Sequence, residues 1–236
     1  LYQAAMPLAQ SLIYSTSFLL PVLLPLTSEL WKRRKIAEII SGVESLYKYV
    51  FILMLPASLL LSSFSITFLG FLFGPEYIQA HVALKILLAS YFVYSFYLIN
   101  SSVISGIGQP KENAKIIYIG LVFNIFGNLF LIPMYGILGA ASSTLVSICV
   151  MFILSLFRLN RHMHIKAPLN SWFKIFIAGI VFFMVAGSIR KISTVGFFLE
   201  FLLIVIFSFL AFFLVLFILK VLTKDEISII LKRLRS

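Results

Sequence analysis

Residues 108–141 read GQPKENAKIIYIGLVFNIFGNLFLIPMYGILGAA, and the fold follows from how this stretch is punctuated. It opens on a polar turn that carries Lys111 and Lys115. An apolar run comes next, interrupted by Asn124 and Asn128, and then an uncharged Pro133-Met134-Tyr135-Gly136 turn. Gly139-Ala140-Ala141 opens a further apolar run. At a rise of ~1.5 Å per residue, a helix of about 20 apolar residues crosses a bilayer, and the run from Ala114 to Ile132 is of that length. Barrel strands are ~10 residues long and alternate in polarity, and this run does neither. The stretch therefore predicts two antiparallel membrane helices, basic at one end and uncharged at the other. Asn124 and Asn128 are four residues apart and share a helical face. Left unpaired in hydrocarbon they would cost on the order of a few kcal/mol each, so they must face protein or water. They either line a cavity or bind helices together.

The rest of the chain has the same character. Of its 236 residues 61% are hydrophobic and 11% charged, and mean hydropathy is +1.09. Soluble domains hold about 25% charged residues, so the composition indicates an all-α, polytopic membrane bundle in which every backbone polar group is satisfied within helices. The net charge of +11 reflects cations collected in loops on one side of a membrane; nucleic acid is not expected as a partner, and membrane lipids are. One cysteine, Cys149, leaves no internal disulfide. The chain opens Leu1-Tyr2-Gln3 without an initiator methionine and reads as a piece of a longer protein.

Seven spans are expected: 4–28, 46–73, 78–106, 114–132, 137–159, 172–189 and 195–222. They form one transmembrane region, 1–222, followed by a tail, 223–236. Thr223 and Glu226 fit a capping box there, and Ile227, Ile230, Leu231 and Leu234 make an apolar stripe suited to an amphipathic helix on the membrane surface. The first span is unusually polar. Gln10, Tyr14 and Ser17 fall on one face, and Pro21 and Pro25 are expected to bend it; that face either lines a cavity or glues helices. Gly74-Pro75-Glu76 reads as a helix end, the first turn of the next helix and an acid at its positive pole. Lys85 lies about two turns into the third span, where it either faces a substrate path or snorkels to the surface. Asn100-Ser101-Ser102 matches a glycosylation sequon by chance. Glu200 is placed to pair with Arg190 or Lys191, or to sit at a cavity mouth.

Trp31-Lys32-Arg33-Arg34-Lys35, the Lys111/Lys115 turn, the Arg158–Lys166 segment and the tail carry most cations, and only Arg190-Lys191 lies on the other side. The positive-inside rule then places those loops and the C-terminus in the cytoplasm of a cell (inner or plasma) membrane. Chemistry-bearing motifs are few. No nucleotide fingerprint, metal motif or acidic pair suited to acid–base work is present, and His162-x-His164 has no thiol or carboxylate beside it. No enzyme activity, cofactor or metal is expected. Polar residues on proline-interrupted helices suit a secondary transporter.

Pro21-Val22-Leu23-Leu24-Pro25-Leu26-Thr27, Phe73-Gly74-Pro75-Glu76-Tyr77, Gly106-Ile107-Gly108-Gln109-Pro110, the two asparagines and Pro133–Ala141, in this order, resemble the C-terminal half of Wzx-type O-antigen flippases of the multidrug/oligosaccharidyl-lipid/polysaccharide superfamily. The resemblance implies a two-lobed transporter of about 12–14 helices, with the N-terminal lobe missing from this chain. It also implies that a polyprenyl-pyrophosphate-linked oligosaccharide is flipped to the outer leaflet by alternating access, for polysaccharide or lipopolysaccharide biosynthesis. The family's cavity is cationic, and Lys85 is the residue here that matches that character. The substrate path is accordingly expected among Gln10, Tyr14, Ser17, Lys85, Asn124 and Asn128. Competing readings are a multidrug/toxin cation antiporter of the same fold, a membrane-embedded glycan-processing enzyme and a structural subunit. The first would need an acid deep in a span and the second a large outward loop with catalytic residues.

Overall fold

The computed structural model of the chain describes residues 1–18, 20–192 and 196–221. The expected amphipathic tail, with Thr223 and Glu226, lies outside the described residues. All regular structure among them is helical: α1 (Tyr2–Ser17), α2 (Leu20–Lys32), α3 (Ile36–Ser63), α4 (Ser65–Leu72), a 3-10 turn (Pro75–Ala80), α5 (His81–Gly106), α6 (Pro110–Tyr135), α7 (Ile137–Asn160), α8 (Leu169–Ile192) and α9 (Phe197–Ile218). Six of these segments are long and apolar enough to cross a membrane: α3, the 3-10 turn with α5, α6, α7, α8 and α9. The chain is a multi-span membrane protein.

Two expected spans are each divided. Residues 4–28 form α1 and α2, of 16 and 13 residues, both shorter than the ~20 residues of a crossing. The interruption lies just before Pro21, whose ring lacks an N–H for the Ser17 carbonyl and crowds it. Residues 46–73 form the end of α3 and the short α4, with Phe64 between them at φ −99°, ψ 15°. The break follows Ser62-Ser63, and Ser63 Oγ bonds back to the Leu59 carbonyl, a known way of bending a helix. Helix α3 also begins ten residues before the expected Leu46, with Lys35 paired to Glu38 in its first turn at 2.7 Å.

Other punctuation falls where the sequence puts it. Gly74 takes φ +111°, and Pro75 starts the 3-10 turn. The turn expected over residues 133–136 is tighter than that: Pro133 stays inside α6, and the reversal is made at Gly136, φ +57°.

The chain forms two units. The first holds residues 1–50 and 64–167. At its centre is α5, which packs against α1, α2, α4, α6 and α7; Ala83, Leu87, Ile99 and Val103 are fully covered there. Such a helix is apolar all round. Helix α6 is peripheral, and it leaves Tyr118, Phe126, Leu129 and Phe130 exposed, the surface expected against lipid. The second unit holds residues 51–63 and 168 onward. Its core is aromatic: Phe182 of α8 meets Phe209 and Phe212 of α9 edge-on, at 5.4 and 6.3 Å between ring centres. Arg190 lies 3.7 Å from Glu200 and donates to the Ser63 carbonyl, so of the two placements open to Glu200 the ion pair is the one found.

Candidate functional site

The α6–α7 hairpin builds a polar cleft in the first unit. The two helices approach closely because small residues face one another. A Cβ added to Gly127 would lie 2.4 Å from Ser143 Oγ, and one added to Gly120 would lie 2.4 Å from the Met151 side chain. At this spacing short side chains on α7 reach the backbone and amides of α6. Ser143 Oγ donates to the Asn124 carbonyl at 2.9 Å, Asn124 Nδ2 donates to Ser147 Oγ at 3.4 Å, and Asn128 Nδ2 donates to Asn124 Oδ1 at 3.1 Å.

Beside them opens a cleft of about 460 Å³ lined by Tyr2, Asn124, Asn128, Ile132, Gly136, Ile137, Ala140 and Thr144. Tyr2 closes one side, its hydroxyl 3.2 Å from Thr144 Oγ1. Asn128 Oδ1 is buried and has no protein hydrogen-bond partner among the described residues. A buried amide oxygen of this kind favours a ligand that can donate a hydrogen bond. Every polar group in the cleft is an amide or a hydroxyl, so it can exchange hydrogen bonds with a neutral hydroxylated ligand. Its polar side chains are Tyr2, Asn124, Asn128 and Thr144, and no carboxylate, imidazole, thiol or amine is among its lining residues. No cluster of three or more His, Cys, Asp or Glu side chains suited to a metal occurs among the described residues.

The structure brings together only part of the expected substrate path. Asn124 and Asn128 share the cleft. Gln10 reaches α5 instead and donates to the Tyr91 hydroxyl at 3.2 Å. Tyr14 is 73% exposed, and Ser17 turns back onto the Ile13 carbonyl at 3.0 Å. Lys85 is exposed on α5 and joins none of these groups.

Two further polar networks, one buried and one part-buried, are not evident from residue spacing. Asn100, fully covered, accepts from the Tyr47 hydroxyl of α3 and donates to Ser155 Oγ of α7 at 2.7 Å. Asn113, in the first turn of α6, accepts from the Tyr97 hydroxyl at 3.0 Å and donates to Ser101 Oγ at 2.6 Å. The available signal was the run Asn100-Ser101-Ser102 inside an apolar helix, where each polar group needs a partner. Both networks tie helices together.

No family model matches the chain. It is similar to an uncharacterized membrane protein of Methanocaldococcus jannaschii, 33% identical over 176 residues, which are 75% of this chain and 35% of that one. A second uncharacterized membrane protein of the same organism is 38% identical over 80 residues, 34% of this chain and 19% of its own length. A probable low-salt glycan biosynthesis flippase of Haloferax volcanii is 31% identical over 115 residues, 49% of this chain and 24% of the flippase. The chain thus spans about a third or less of the curated relatives it matches. It is a multi-span membrane protein, similar over 49% of its length to a probable flippase of glycan biosynthesis.

Proposed function

We propose that this chain is part of a transporter that flips a polyprenyl-pyrophosphate-linked oligosaccharide from the cytoplasmic to the outer leaflet by alternating access, as Wzx-type proteins do. The observation that carries the reading is the 31% identity to a probable glycan biosynthesis flippase. The Asn124–Asn128 cleft supports it, because a membrane-embedded pocket of amides and hydroxyls suits sugar hydroxyls. On this reading the remaining lobe of the parent protein supplies the other wall of the path and most of its positive charge. The basic loops and the C-terminus face the cytoplasm, and membrane lipid covers the exposed apolar faces.

The test uses the full-length parent protein in proteoliposomes with a fluorescent polyprenyl-diphosphate oligosaccharide, whose transfer between leaflets is followed by protection from an impermeant quencher. Transfer above protein-free vesicles is expected. The Asn124→Ala/Asn128→Ala variant is expected to transfer about tenfold more slowly, the loss of one to two net hydrogen bonds. Absence of transfer by a folded wild-type protein would sink the reading. A normal rate in the variant would reduce the two asparagines to helix packing.

A further inference from the structure

At the end of the first unit where α7 terminates lies a group of polar side chains that the amide cleft does not use. Arg158, Arg161 and His162, from the close of α7, face Gln109 and Glu112 at the start of α6 across a cleft of about 210 Å³. Its single lining carboxylate is already engaged: Glu112 holds Lys115 Nζ at 2.7 Å and Arg158 Nε at 3.1 Å. Arg158 pairs with it through Nε, and Arg161 lines the same cleft close enough for its charge to act on Glu112. The positive end of α6 opens at the same place, with Pro110 in its first turn and no side chain capping it. Two arginines and Lys115 around one carboxylate leave an excess of positive charge, and guanidinium forks beside a helix N-terminus make a site for phosphate oxygens.

A second cleft shares both arginines. It measures about 420 Å³ and is lined by Leu154, Phe157, Arg158, Asn160 and Arg161. Positions 154, 157, 158 and 161 follow helical spacing and form one stripe, apolar toward the middle of α7 and basic at its end. Phe157 is 66% exposed. From Arg158 to Leu154 the stripe descends about 6 Å, from headgroup level into hydrocarbon. Trp31 packs edge-on against His162, 6.4 Å between ring centres, and a tryptophan here marks the membrane–water boundary.

We propose that this stripe binds a membrane lipid with an anionic phosphate headgroup. Arg158 and Arg161 take the phosphate oxygens, and the lipid's hydrocarbon lies along Leu154 and Phe157. A free phosphate or diphosphate would use the arginines and gain nothing from the apolar half, which is why the lipid is the better occupant. The site is separate from the amide cleft, and its test does not involve transport.

The full-length protein in detergent is titrated with phosphatidic acid, phosphatidylcholine or inorganic pyrophosphate, and bound adducts are counted by native mass spectrometry. Phosphatidic acid is expected to bind more tightly than the other two. Arg161→Ala removes a side chain just beyond the end of α7 and leaves the Glu112 pairs with Lys115 and Arg158 in place; it is expected to weaken phosphatidic acid binding about tenfold or more, whereas Arg33→Ala/Arg34→Ala leaves it unchanged. Phe157→Ser is expected to weaken phosphatidic acid and not pyrophosphate. Wild-type affinity for phosphatidic acid in Arg161→Ala would overturn the site. Equal affinity of the wild type for pyrophosphate and phosphatidic acid would overturn the lipid as its occupant.

Discussion

Asn100 joins three helices in the interior of the first unit. Its amide is fully covered and joins the Tyr47 hydroxyl to Ser155 Oγ, so one side chain links three helices. Asn100→Leu keeps the volume and leaves the Tyr47 hydroxyl buried without its acceptor, an expected loss of about 1–3 kcal/mol. Melting in detergent, followed by size-exclusion fluorescence, checks it. Tyr47→Phe should cost less in the Asn100→Leu background than in the wild type, and additive losses would show that the pair does not act together. Residue roles were partly legible in the sequence. That Asn124 and Asn128 share a face follows from their spacing, and the structure puts both against α7. That Asn100 matters more than Gln10 does not follow from spacing, because it depends on which helix becomes central, and that is decided by tertiary packing.

At the scale of elements, helix–helix approach is set by small residues. A Cβ on Gly139 would lie 2.1 Å from the Leu131 carbonyl oxygen of α6, and backbone cannot move aside as a side chain can. Gly139→Ala is therefore expected to destabilise the hairpin by about 1–3 kcal/mol. Gly187→Ala on α8, where nothing lies within 4 Å, should be neutral or slightly stabilising. A melting comparison of the two variants checks this, and equal melting temperatures would count against close packing at Gly139. Element ends marked by Gly74 and Gly136 were readable, since each takes a positive φ that other residues avoid. The end of α1 at Ser17 and the break at Phe64 were not. Pro7, Pro25, Pro56 and Pro133 all sit inside continuous helices, so a proline alone does not tell a bent helix from two helices.

For the whole molecule, the proposed orientation makes a labelling prediction. In a cysteine-free background of the full-length protein, with Cys149 replaced by serine, Tyr135→Cys at the exposed α6–α7 turn should react with an impermeant maleimide on intact cells. Lys111→Cys should react only after the membrane is permeabilised. The reverse pattern would turn the molecule over. The helical membrane class was legible from composition alone, because 61% hydrophobic residues exceed what a water-soluble core can hide. The division into two units was not. It separates residues 51–63 from the rest of α3, and no change in composition marks that point.

The buried amide of Asn100 also constrains how the chain is made. Its partner on α7 is synthesised 55 residues later, which at ~5–20 residues per second takes about 3–11 s. Throughout that interval α5 carries a polar group that bare hydrocarbon would penalise. Tyr47 of α3, made earlier, can meet the amide oxygen in that interval, so it is the amide nitrogen that waits for Ser155 of α7.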